Sequence, residues 1–153
     1  MKKLALLVLV SVFTTLAAFA QSKGFYDACR ADSNLETVYI GSPMLRMVKT
    51  PGVKINDVAL DKIVNIIDNI RIVSAENKKG IKKLTELAAV FSTTNGYEIM
   101  LENTDQGEKV VIYTKKLKNK LNEYVIITSE PKEMDVIIIT GALTPDDLAR
   151  AKK

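Results

Sequence analysis

Hydrophobic and polar positions change their period along this chain, and the changes divide it. Residues 4–20 run without a charge and follow Lys2 and Lys3. Ala18 and Ala20 put small side chains at the two positions a signal peptidase reads. This is the pattern of a secretory leader over 1–20, cleaved before Gln21. At 17 residues the apolar run is also at the short limit for crossing a bilayer, so an uncleaved anchor is the competing reading. A lipoprotein is disfavoured, because position 21 is Gln and Cys29 lies too far downstream.

The pattern after the leader predicts one mature domain over 21–153. Residues 22–31 read as a short helix with Phe25, Tyr26 and Cys29 on one side. The β-branched and aromatic run 36–40 reads as a strand that Gly41 ends. Ser42-Pro43 then has the form of an N-cap followed by Pro at the first helical position. In the helix it starts, Met44, Leu45, Met47 and Val48 point inward. Residues 53–70 fit two periods. The reading adopted is a short helix near 56–63 and a strand over 67–75. Ile81, Leu84, Leu87, Ala88 and Phe91 form one apolar stripe, which predicts a helix over 77–91. Lys78, Lys79, Lys82 and Lys83 lie off that stripe, as a solvated face or as a surface for anionic lipid or polymer.

From Tyr97 the period becomes two. Strands are expected over 97–102, 109–116, 121–129 and 135–140, joined by short turns. Short turns between successive strands imply an antiparallel meander. Val125-Ile126-Ile127 and Val136 to Ile139 are apolar on both faces, which places their strands in mid-sheet or under cover on both sides. Thr144-Pro145-Asp146-Asp147 starts a last helix, with Leu148 and Ala149 as its apolar contacts. The expected fold is α+β: a mainly antiparallel sheet, built on a C-terminal four-strand meander, with helices packed on one face.

Composition narrows the chemistry. Apolar residues make up 47% and charged residues 26% of 153, the balance of a single globular domain. There is no histidine, no tryptophan and one cysteine. That removes histidine general bases, Ser-His-Asp and Cys-His hydrolases, most zinc sites and an internal disulfide. The whole chain carries a formal charge of +4. Loss of Lys2 and Lys3 with the leader leaves 20 basic residues against 18 acids, or +2, so the basic pI is no nucleic-acid signature.

Candidate chemistry is sparse. No phosphate-binding loop, dinucleotide fingerprint or nucleophile elbow is present. No catalytic residue, cofactor or metal set is assigned. Cys29 is a small buried apolar residue or, on the sharper reading, a reactive thiol. Glu98 and Glu102, read on one strand face with Met100 between them, are a candidate carboxylate pair for glycoside-type hydrolysis, against a solvated strand face. Glu130 and Glu133 bracket a turn. Asp57 and Asp61, four apart, are a weak pair for a hard cation. Tyr39, Tyr97, Tyr113 and Tyr124 fall on strands, and with Met44 and Met47 they form the candidate binding surface, against the reading that they are core.

Several segments in order resemble a known family. They include Phe25-Tyr26, the run from Val38 to Leu45, Ile70-Arg71-Ile72-Val73 and Gly96-Tyr97-Glu98. Gly107-Glu108-Lys109-Val110, Asn122-Glu123-Tyr124-Val125 and Thr140-Gly141-Ala142-Leu143 continue the series. Together they are similar to a family of small exported proteins common in Bacteroidota, known as a domain of unknown function. The resemblance implies export and one α+β domain, and it carries no catalytic residue. Relatives that are lipoproteins, or that stand near sigma and anti-sigma factor genes, imply a link to envelope signalling. This chain lacks their acceptor cysteine.

The expected function is therefore a non-enzymatic binding or interaction module of the periplasm or cell envelope. Its partner would be an envelope protein or a small ligand, not nucleic acid, and any membrane contact would be peripheral. The alternatives are a carboxylate-dependent hydrolase of envelope polymers and a membrane-surface protein held by an uncleaved anchor.

Overall fold

Two-sided apolar strands can be satisfied only inside a sheet, and the sheet is ordered accordingly. A computed structural model describes residues 21–47, 54–55, 58–59 and 63–147. The C-terminal meander comprises β5 (Glu98–Asp105), β6 (Glu108–Lys116), β7 (Asn122–Ser129) and β8 (Met134–Gly141). Before it come β1 (Glu36–Gly41) and β4 (Ile67–Ala75). The six strands lie in the order β1-β4-β8-β7-β6-β5, with every neighbour antiparallel. The apolar β8 and β7 are the third and fourth strands, where both faces can be covered. Gln106 and Gly107 turn β5 into β6 with φ of 46° and 90°, the two positive angles that suit the right-handed twist of a hairpin.

A helix over 21–30, α1, and α3 (Lys78–Ala88) cover one face of the sheet. Asn77 caps α3 by accepting a hydrogen bond from the Gly80 amide at 2.8 Å. Leu84 and Ala88 are buried, and the four lysines of this helix are exposed. The core on this face combines Phe25, Tyr26 and Cys29 of α1 with Val73, Val125, Val136 and Ile138. Rings run through it edge to face, from Phe25 to Phe91 at 4.9 Å and from Phe91 to Tyr97 at 5.3 Å.

The short α2 (Ser42–Met47) and a 3₁₀ turn over Val64–Ile66 cover part of the other face. There Leu45, Ile63, Val64, Ile70, Tyr124 and Leu143 form a second, smaller core. Thr144 opens a helical turn at 145–147, and its hydroxyl and amide both donate to Asp147 Oδ2 at 2.7 and 2.9 Å. Leu148 and Ala149 lie outside the described residues.

One expectation is corrected. The helix expected near 56–63 is not formed at Val58–Ala59 (β3), which pairs with Lys54–Ile55 (β2) as a small antiparallel ladder. Ile55, Ala59 and Ile63 fit a helical spacing, but Ile55 and Val58 are β-branched and flank Asn56-Asp57, a turn-forming sequence. Positions 56–57 and 60–62 lie outside the described residues.

Gly141 marks the tightest approach between the sheet and its second cover. A Cβ there would run into the Ile66 carbonyl oxygen and stand 2.8 Å from Ile67 Cα. The Ala142 amide donates to that same carbonyl at 2.8 Å. Gly141→Ala is expected to destabilise the protein by about 3 kcal/mol through overpacking. The measurement is a urea titration, in which the midpoint falls and the slope is kept.

Candidate functional site

The strand period that makes β7 apolar also turns one acid inward. Glu123 is in phase with Val125 and Ile127 on the face that α1 covers, and it is 2% exposed. A carboxylate in that position needs donors, because burial strips it of water. Tyr97 donates its phenol to Oε1 at 2.7 Å, and Ser22 donates its hydroxyl to Oε2 at 2.7 Å. Burial first, then the Glu123 charge, pushes the Tyr97 phenol well above its ordinary range. Lys115 is paired across the ladder with Glu123. Its ammonium donates to Gln21 Oε1 at 2.9 Å and to the Asn95 carbonyl at 2.8 Å, and it stands 4.7 Å from the centre of the Tyr97 ring. Burial lowers its pKa, and the Glu123 charge opposes that shift. Both oxygens of Glu123 are occupied and no substrate atom can reach them. The cluster fastens the start of α1 to the sheet.

One side of α1, from Lys23 to Arg30, faces β1 and β4 across an open groove of about 720 Å³, lined by Lys23, Tyr26, Asp27, Arg30, Thr37, Tyr39 and Arg71. Lys23 and Asp27 cancel one another in an ion pair of 2.7 Å. The hydrogen bond from Lys23 is what lowers the Asp27 pKa most, and the charges of Arg30 and Arg71 lower it further through space. Arg71 lies opposite Tyr39 in the β1–β4 ladder, with its guanidinium carbon 5.9 Å from the Tyr26 ring centre. Among the described residues, neither Arg30 nor Arg71 has an ion pair or a side-chain hydrogen bond. With Asp27 committed to Lys23, the groove holds two guanidinium groups in excess of its acids, beside Tyr39, which is 58% exposed. Planar forks of this kind suit carboxylate or phosphate oxygens.

The expected surface residues do not come together. Tyr39 is exposed in the groove. Met44 and Met47 are exposed on α2, at 57% and 78%, not turned inward as their helix pattern predicts. Pro43 fills the first turn, and the six residues of α2 bury only Leu45. Tyr97 is buried in the Glu123 cluster, and Tyr113 packs beside it at 6.4 Å between ring centres. Tyr124 is buried on the other face and donates to the Leu143 carbonyl at 3.0 Å. Three of the four tyrosines are thus core or near-core residues.

Glu98 and Glu102 are also separated. A bulge between Ile99 and Leu101 sets Glu98 opposite Thr114 but Glu102 opposite Val111. Thr114 and Val111 point to opposite faces of β6, so the two carboxylates do as well. Glu102 is instead paired with Lys109 at 2.7 Å. Cys29 is fully buried, and its thiol is pushed up to about 12 by burial, which leaves it an inert core residue. Glu130 and Glu133 are exposed. Asp57 and Asp61 lie outside the described residues. Among the described residues, no three His, Cys, Asp or Glu side chains could hold a metal ion. Glu123 and Arg71 carry the one signal that finds them in the sequence: each is a charge in phase with inward apolar neighbours on its strand.

The model of one family, a domain of unknown function designated DUF4252, matches residues 26–151, and the chain belongs to that family. No curated protein matches it. Among solved structures, the chain is similar to PA94 of Pseudomonas aeruginosa, a protein of unknown function. The identity is 8% and the TM-score 0.35, over 78% of this chain and 74% of that one.

The buried cluster predicts a coupled stability effect. Tyr97→Phe leaves Glu123 with one hydroxyl donor and is expected to cost about 2 kcal/mol. Glu123→Gln in the same background should cost less than it does alone. Urea unfolding of the two single variants and the double variant measures that coupling, expected near 1 kcal/mol.

Proposed function

We propose that this chain is an exported, non-enzymatic binding module of the cell envelope that holds an anionic ligand in the groove between α1 and β1. The observation that carries the reading is the pair Arg30 and Arg71, in excess of the groove's acids and set beside the exposed Tyr39. Two guanidinium groups that share a groove favour a ligand with carboxylate or phosphate oxygens, which their forks match bidentately. Tyr39 adds a flat face for a sugar or other ring. The leader pattern of residues 1–20 supports delivery to the envelope. The hydrolase alternative is disfavoured, since Glu98 and Glu102 leave the sheet on opposite faces.

Export predicts a mature chain that begins at Gln21. Intact mass of the native protein from the soluble envelope fraction should match residues 21–153, and a full-length chain in the membrane fraction would instead support the anchor. For the groove, amide shifts are followed during titration with inorganic phosphate and with oligogalacturonate. Shifts are expected to cluster at 23–39 and around Arg71. Arg30→Ala or Arg71→Ala should weaken binding about tenfold each, since a charge-assisted hydrogen bond contributes ~1.5–3 kcal/mol. Tyr39→Ala should weaken the sugar acid alone. Absence of shifts with both probes, or binding indifferent to both arginines, would sink the reading.

A further inference from the structure

The sheet face opposite α1 carries a pattern that the groove does not use. Following the ladder partners from edge to edge, Val38 lies opposite Ile72, Ile72 opposite Ile137 and Ile137 opposite Ile126. Ile126 then lies opposite Ile112, and Ile112 opposite Leu101. One aliphatic side chain from each of the six strands thus stands in a single straight row. Five strand spacings make it about 24 Å long. None of the six is buried, and its ends, Val38 and Leu101, are 40% and 45% exposed. Ile72 and Ile137 at its middle pack in part against the second core, and the rest of the row continues from them toward open ends at both edges of the sheet.

The row lies on a step. On one side the neighbouring row, with Ile70 and Tyr124, is buried under α2, the Val64–Ile66 turn and Leu143. On the other side the neighbouring row is polar, without a helix over it among the described residues, and Glu36, Ser74 and Asp135 succeed one another across β1, β4 and β8. The raised side carries a cation, Arg46, exposed near the end of α2. The low side carries the acids Glu36 and Asp135.

We propose that this face is an interface between two copies of this chain, related by a two-fold axis that runs along the aliphatic row. Such an axis stacks each row on its own copy, so isoleucine meets isoleucine across a sheet-on-sheet contact. It also sets the raised α2 of each copy over the partner's low polar row, because both lie at the β1–β4 end of the sheet. Arg46 then meets Glu36 and Asp135 of the other copy, and the exposed Met44 and Met47 are on the element that descends. A second copy is preferred to another partner because this chain supplies both the step and its counterpart, and both signs of charge. The row and its flanks are narrower than a standard interface, which places the dimer in the weak, reversible class, below ~1,200 Å² in total.

Sedimentation velocity of the purified protein over a range of concentrations tests this. The expected result is a reversible monomer–dimer equilibrium with a Kd in the micromolar range. Ile112→Lys should weaken it more than tenfold. Since that change could disturb folding, the decisive variants are at exposed charges. Arg46→Glu and Glu36→Lys should each weaken the dimer several-fold, and the two together should restore it. A monomer at every concentration overturns the proposal. So does a dimer that ignores Ile112→Lys and both charge changes. Amide shifts along the row on adding a basic amphipathic peptide to a strictly monomeric protein would give the face a different occupant, and that too overturns it. The groove variants Arg30→Ala and Arg71→Ala should leave the equilibrium unchanged, which keeps this test independent of the ligand reading.

Discussion

The antiparallel pairing of β4 with β8 joins two ladders of the chain into one sheet. β1 and β4 form one ladder, and the meander from β5 to β8 forms another. Setting Ile72 against Ile137 and Val73 against Val136 fuses them into one sheet. The main core and the groove both depend on that seam. The core under α1 and α3 draws Val73 from one part and Val125, Val136 and Ile138 from the other. The groove has Arg71 and Tyr39 in its wall because β4 and β1 continue the sheet past β8. Contacts this distant in sequence cost loop-closure entropy that the burial on both sides of the seam must offset.

The interior adjusts to an acid in a similar way. Glu123 stands on a central strand, where an unpaired charge would be severely destabilising. Two hydroxyl groups from distant parts of the chain, Ser22 and Tyr97, occupy its oxygens. Removing one of them costs more than the bond itself, because the charge remains behind. The same arrangement fixes where α1 begins on the sheet. A helix held at 21–22 and again by Phe25 and Cys29 in the core turns its side with Lys23, Asp27 and Arg30 toward β4 and β1, and that fixes the groove.

Much of this is readable in the sequence, for identifiable reasons. Val136 to Ile139 and Val125 to Ile127 are apolar at consecutive positions, which points to inner strands of a sheet, and both strands are central. Asn77 before an amphipathic run, and Thr144 before Pro145, mark helix starts that the structure uses. The pattern misses whatever depends on where the period slips. The bulge at Met100 adds one residue to β5, and one residue is enough to send Glu102 to the other face. The stretch 56–63 satisfies a helical spacing by coincidence of Ile55, Ala59 and Ile63, while its β-branched residues favour the pairing seen at Val58–Ala59. Residue type and strand membership alone put the four tyrosines in one group. Whether a tyrosine is core or surface depends on which strand lies beside it, and that is a property of the sheet order. The groove is hidden in the sequence for the same reason: Arg30 and Arg71 are 41 positions apart and share it only because α1 packs over β4.

The two surfaces are related through a single strand. On β1, Tyr39 faces the groove while Val38 and Ile40 face the opposite side, because successive side chains alternate. A two-fold contact through the row at Val38 would therefore leave both grooves outward, pointing away from each other. In that arrangement a short anion fills one groove at a time and gains nothing from the dimer. An anionic polymer long enough to reach around both copies gains the effective concentration of the second site without any new contact. A weak dimer and a shallow, two-arginine groove would each be a poor binder alone. Combined as proposed, they would discriminate by length, retaining a polymer and releasing its monomer. The two proposals, if both hold, therefore favour an extended, repeating anion over a small dissolved one.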